Sequence, residues 1–134
     1  MRVFALDYGR ARTGMAVSDA TGVLARPLGV VERVRTPAGL DRLLAAIAQS
    51  EPGRIVVGLP VTLRGEHGPQ ARETLEFVRE LEARCNVPIE TYDERFTTSL
   101  AKTTRRATSR RRETGDDAAA AAHLLEGYLT WRAG

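Results

Sequence analysis

Cysteine is almost absent from this chain of 134 residues: Cys85 stands alone, which excludes an intrachain disulfide and a cysteine-rich zinc site. One thiol suits a reducing compartment, so a cytoplasmic location is expected. Aromatic residues make up only 5%, so the core must be largely aliphatic, and base stacking on aromatic rings is not implied. Long hydrophobic runs are missing as well. Val3 to Leu6 is cut off by Asp7, too soon for a signal segment or a membrane span. No other uninterrupted apolar run approaches membrane-spanning length, so no membrane partner is expected. His67 and His123 lack a second His or Cys at ligand spacing. There is no Gly-Lys-Ser/Thr phosphate loop and no Gly-x-Ser-x-Gly nucleophile elbow.

What remains is a chain that is 43% hydrophobic, enough for one modest core over residues 1–134 and too short for two. Residues 2–6 and 13–18 read as two strands around a basic turn, Arg10-Ala11-Arg12, bracketed by Gly9 and Gly14. A third strand is expected within 24–34, at an edge or with a bulge because of Pro27 and Gly29. Thr36-Pro37 reads as an N-cap with proline at the first helical position, followed by a stripe of Leu40, Leu43, Leu44, Ile47 and Ala48. Pro52-Gly53 stops that helix. Residues 54–58 read as a strand buried on both faces. Ala71, Leu75, Val78, Leu81 and Cys85 mark a second helix, residues 88–92 another strand, and 97–107 a further helix. Residues 117–131 form an alanine-rich helix packing through Leu124, Leu125, Tyr128 and Leu129. The order predicts an α/β fold with a mixed five-stranded sheet flanked by helices. Its three leading strands form an antiparallel meander, and the later strands run parallel.

Acidic residues fall at element ends: Asp7 after the first strand, Asp93 and Glu94 after the last, Asp116 and Asp117 at the start of the final helix. Such ends can converge at one edge of an α/β sheet. Carboxylates gathered there repel one another unless a cation lies between them, and hard cations such as Mg²⁺ or Mn²⁺ take oxygen ligands. Two such ions can activate water and stabilise the leaving oxygen of a phosphodiester. Taken singly, each acid has a plainer reading as a turn residue, a helix cap or a surface ion-pair partner. Asp7-x-Gly9 with Gly14 is also similar to an ATPase phosphate loop, but such ATPases close two domains over a nucleotide, and this chain has room for one.

The formal net charge of +3 hides a strong asymmetry. Between residues 95 and 112 lie Arg95, Lys102, Arg105, Arg106, Arg110, Arg111 and Arg112, with no acid among them; the remainder carries 13 basic and 17 acidic residues. A phosphate backbone approaching the acids would be neutralised by this run, and by Arg10 and Arg12.

The stretch Asp7-Tyr8-Gly9-Arg10-Ala11-Arg12-Thr13-Gly14-Met15-Ala16 resembles the opening motif of the YqgF family, bacterial Holliday-junction resolvases and pre-16S ribosomal RNA nucleases. Val56-Val57-Gly58-Leu59-Pro60 is similar to its middle motif, and Tyr92-Asp93-Glu94-Arg95-Phe96-Thr97-Thr98 to its third. Asp117 through Ala120-Ala121, Leu124-Leu125 and Tyr128-Leu129 is similar to its final helix. The resemblance covers nearly the whole chain, in order. It implies an RNase H-like fold and divalent-metal-dependent phosphodiester hydrolysis, with Asp7, Glu94 and Asp117 as catalytic and metal-holding acids and two Mg²⁺ or Mn²⁺ ions as cofactors. Asp117 rather than Asp116 follows from its offset to the helix motif, whereas Asp93 remains an alternative to Glu94. Two departures bear on substrate contacts: an arginine-rich, shortened segment after Thr98, and Leu100 where relatives often carry an acid.

The expected function is therefore a nuclease acting on pre-16S rRNA ends, on Holliday junctions, or on both. The alternative is a non-catalytic nucleic-acid-binding module. RNA and branched DNA are the expected partners, and junction resolution would call for a homodimer.

Overall fold

The computed structural model describes residues 1–60, 65–94 and 117–133. Five strands form one sheet: β1 (Val3–Asp7), β2 (Arg12–Ser18), β3 (Ala25–Glu32), β4 (Arg54–Leu59) and β5 (Ile89–Asp93). The helices among the described residues are α1 (Pro37–Ser50), α2 (Pro69–Glu82) and α3 (Asp117–Ala133). The sheet order is β3-β2-β1-β4-β5. β1, β2 and β3 form the antiparallel meander, while β4 runs parallel to β1 and β5 parallel to β4. This is the mixed sheet read from the order of elements. None of the described helices is long and apolar enough to cross a membrane.

Local chemistry sets the element ends. The Thr36 hydroxyl accepts from the Gly39 amide at 3.1 Å, and Pro37 opens α1 with its φ already helical. α1 closes on Glu51 in the left-handed region, φ 48°, one residue ahead of Pro52, which cannot continue a helix. In β3 the pairing passes from Met15–Gly29 to Ala16–Pro27, leaving Leu28 over. The expected bulge is therefore present, on the edge strand where proline is tolerated.

The sheet is covered on both faces, which explains the nearly unbroken apolar runs in β1 and β4. Phe4, Leu6, Ile55 and Val57 point to the α1–α2 side and pack with Leu43, Ile47, Phe77 and Leu81. Val3, Ala5, Ala16 and Val56 point the other way, against Ala121, Leu125 and Tyr128 of α3. Ala5 and Ala16 on the sheet and Ala121 and Ala122 on α3 share that second cluster with the larger Leu125 and Tyr128. Two expectations need correcting. α2 ends at Glu82, so Cys85 lies beyond it, and the buried positions are Ala71, Thr74, Phe77, Val78 and Leu81, with Leu75 half-buried. Thr74 tolerates burial because its hydroxyl donates to the Gln70 carbonyl at 2.8 Å. The helix expected over 97–107 lies outside the described residues.

Candidate active site at the sheet edge

Because β1, β4 and β5 are parallel, their C-terminal ends share one edge, and β2 starts there too. Asp7 closes β1. Its cross-strand partner is Gly14 on β2. On the other side the Leu6–Val57 pair brings Gly58 alongside. Both neighbours of Asp7 across the sheet are thus glycines. A Cβ on Gly58 would sit 2.9 Å from Glu94 Oε1, and one on Gly14 would sit 2.7 Å from the Asp117 carbonyl carbon. The missing side chains make the room through which β5's end and α3's start approach Asp7.

A cleft of about 480 Å³ opens at this edge, lined among others by Asp7, Tyr8, Arg10, Gly58, Glu73 and Glu94. Glu94 lines it and its neighbour Asp93 does not. The Tyr8 ring stacks on Phe77, centroids 4.8 Å apart at 23°. Burial raises the Tyr8 hydroxyl pKa above its ordinary value, more than its hydrogen bond with Arg35 lowers it. Tyr8 therefore stays neutral through the physiological range.

Asp117 stands in the first turn of α3, buried, and does not line the cleft. Its Oδ2 is 3.0 Å from Arg12 Nε. A buried carboxylate without a counter-charge would be costly, and Arg12 provides one. Arg10, at the cleft mouth, is paired with Glu73, Nε to Oε1 2.6 Å. Among the described residues no three His, Cys, Asp or Glu side chains are gathered closely enough to hold one ion. Asp7 and Glu94 are brought into one cleft, while Asp117 is adjacent through Gly14 but engaged with Arg12. The donors here are all carboxylate oxygens, which suits a hard divalent cation. His67 and His123 are exposed, and His123 lies 3.6 Å from Glu126.

Arg95, Lys102, Arg105, Arg106, Arg110, Arg111, Arg112 and Asp116 lie outside the described residues. Three cleft residues escaped the sequence reading as site residues. Tyr8 lies inside the opening motif but has no role assigned to it there, and Glu73 lies outside every motif. Gly58 did carry a signal, since a glycine within an apolar, β-branched strand often marks a close approach.

A family model described as RuvX, Holliday junction resolvase, matches residues 1–131. A Desulforudis audaxviator protein named "Putative pre-16S rRNA nuclease" is 44% identical over 99 residues, covering 74% of this chain and 70% of that protein. An Anaeromyxobacter protein of the same name is 39% identical over 135 residues, covering 98% of each. The fowlpox virus Holliday junction resolvase structure superposes with a TM-score of 0.51 at 10% identity, covering 99% of each chain.

Proposed function

We propose, from the premise that this chain belongs to the RuvX family of Holliday junction resolvases, that Asp7, Glu94 and Asp117 hold divalent cations at a phosphodiester to be cut. It is a nuclease of the RNase H-like fold, and the whole of residues 1–134 acts as one nuclease domain. The observation that carries the site is the sharing of one cleft by Asp7 and Glu94 across Gly58, with Asp117 beside Gly14. Two Mg²⁺ or Mn²⁺ ions would lower the pKa of water and neutralise charge on the phosphoryl oxygens.

The chain's own residues do the rest. Asp7 and Glu94 concentrate negative charge in the cleft, which repels a phosphate until that charge is compensated. Arg10 and Arg12 offer guanidinium forks on either side of the β1–β2 turn. Arg95, Lys102, Arg105, Arg106 and Arg110 to Arg112 would add positive charge for a nucleic-acid backbone. The substrate is the 5′ region of pre-16S rRNA, a Holliday junction, or both, handled in the cytoplasm. Resolving a junction needs two sites and hence a two-fold homodimer, whereas trimming an RNA end does not.

A second reading, a nucleic-acid-binding module without catalysis, is favoured by one observation: Arg12 engages Asp117, leaving only two of the three acids in the cleft. The deciding experiment offers purified protein a four-way junction and a pre-16S leader RNA, each with Mg²⁺, Mn²⁺ or chelator. Asp7→Asn should abolish metal-dependent cleavage while the protein stays folded. Undiminished cleavage by that variant refutes the site, and binding without cleavage by the wild type establishes the second reading.

A further inference from the structure

Arg10 in the β1–β2 turn and Arg12 at the start of β2 are each engaged by an acid from a different helix: Arg12 by Asp117 of α3 and Arg10 by Glu73 of α2. Glu73 is not among the acids assigned to metal. It nevertheless lines the same cleft as Asp7 and Glu94. Its side chain is only 21% exposed, whereas that of Arg10 is 83% exposed. The helix therefore holds the carboxylate, and the guanidinium lies out at the mouth. An ion pair with so exposed a partner contributes little to folding. Its chemical effect is larger, because carboxylate and phosphate offer a guanidinium the same kind of paired-oxygen target.

We propose that Glu73 is a specificity-determining residue: its carboxylate takes the Nε side of Arg10, so a nucleic-acid backbone gains the full guanidinium fork only by displacing Glu73. The inference rests on the reading of Arg10 as a nucleic-acid contact. A strand passing over the surface meets an arginine already neutralised, with a negative charge beside it. A strand seated in the cleft makes further contacts that offset the exchange. Glu73 thus selects for seated substrate against incidental contact with duplex.

The test measures binding of the full chain, in chelator, to a plain DNA duplex and to a four-way junction. Glu73→Gln keeps the size and removes the charge. It should tighten duplex binding about two- to fivefold, tighten junction binding less, and so narrow the preference for the junction. Arg10→Gln should weaken both. In the Arg10→Gln background, Glu73→Gln should have less than half its effect. Glu73→Asp, which withdraws the carboxylate by one methylene, should fall between Gln and wild type and guards against a folding artefact. Tightening that persists undiminished without Arg10 overturns the proposal, as does weaker binding by Glu73→Gln. Unchanged binding by Arg10→Gln also overturns it, without touching the nuclease assignment, which Asp7→Asn decides separately.

Discussion

Alanine at Gly58 should separate catalysis from folding, whereas alanine at Gly14 should damage both. Neither glycine has a positive φ, so the argument is one of space. At Gly58 the new Cβ meets Glu94 Oε1 at 2.9 Å and the Leu124 methyls at 2.9 and 3.1 Å. Comfortable carbon contacts begin at about 3.5 Å, so each neighbour must yield roughly half an ångström. All three are ends of flexible side chains, and the cost should be about 1 kcal/mol. The Glu94 carboxylate, however, is pushed from its place over the cleft floor. At Gly14 the Cβ meets backbone instead: the Asp117 carbonyl carbon at 2.7 Å, its oxygen closer still, and the Ala118 nitrogen at 3.3 Å. The start of α3 must then lift from the sheet by roughly 1 Å, a gap that forfeits about a quarter to a half of each contact's attraction. That places the cost near the top of the overpacking range, about 3 kcal/mol. With about 3–5 °C per kcal/mol for a chain of this size, Gly58→Ala should melt about 3–5 °C early and Gly14→Ala about 10 °C early. Both are read by calorimetry in chelator. Junction or RNA cleavage by Gly58→Ala, assayed where it is fully folded, should fall by about 10²-fold, the order expected for an ångström-scale misplacement. Cleavage within about threefold of wild type would refute the placement of Glu94, and an unshifted Gly14→Ala melt would refute the close approach of α3.

Three further outcomes are expected. The Ser18 hydroxyl accepts from the buried Val3 amide at 2.8 Å and donates to the Asp19 carbonyl at 2.9 Å; Ser18→Ala should cost about 1–3 kcal/mol in urea unfolding, and an unchanged midpoint would show that the amide finds another partner. Burial pushes the Glu90 carboxyl up, but the Tyr128 hydroxyl and the Arg54 and Arg132 guanidiniums outweigh it and hold the pKa below the ordinary value. That stabilisation is complete above the unfolded pKa of about 4.3 and is lost as pH falls through the lower folded value. The melting gap between wild type and Glu90→Gln should therefore be open at neutral pH and close in acid; a gap constant throughout would refute the linkage. Replacing Arg110, Arg111 and Arg112 with Gln should reduce the slope of log affinity against log salt by about 2–3, and an unaltered slope would mark the run as merely solvated.

The meander and the parallel strands could be read from order and punctuation, because Thr36-Pro37 and Pro52-Gly53 act locally on the backbone whatever surrounds them. β4 was readable for a related reason: Ile55, Val56 and Val57 in a row can be satisfied only by cover on both faces. The buried face of α2 was harder. Thr74 is polar in sequence and buried in the fold, and its fitness for that place comes from a hydrogen bond to Gln70 that no hydropathy pattern encodes. At the site, Asp7 and Glu94 were legible as acids at strand ends. The pairing of Arg10 with Glu73 was not, since it depends on how α2 seats against a turn 63 positions away in the chain. The engagement of Asp117 by Arg12 was hidden likewise: spacing can bring acids to a common edge, but it does not say which cation reaches them first.

The packing of α3 also has a consequence in time. This helix is made after every strand of the sheet, and it covers Val3, Ala5, Ala16 and Val56. While the chain emerges from the ribosome, β1 to β5 and the layer built on α1 and α2 can assemble, but Val3, Ala5, Ala16 and Val56 lack their α3 partners until that helix is made. The segment that supplies those partners is the one that brings Asp117 to Gly14. Completion of the second core and arrival of the third acid proposed for the site are one event, so an unfinished chain, still attached to a particle rich in RNA, lacks the full proposed set.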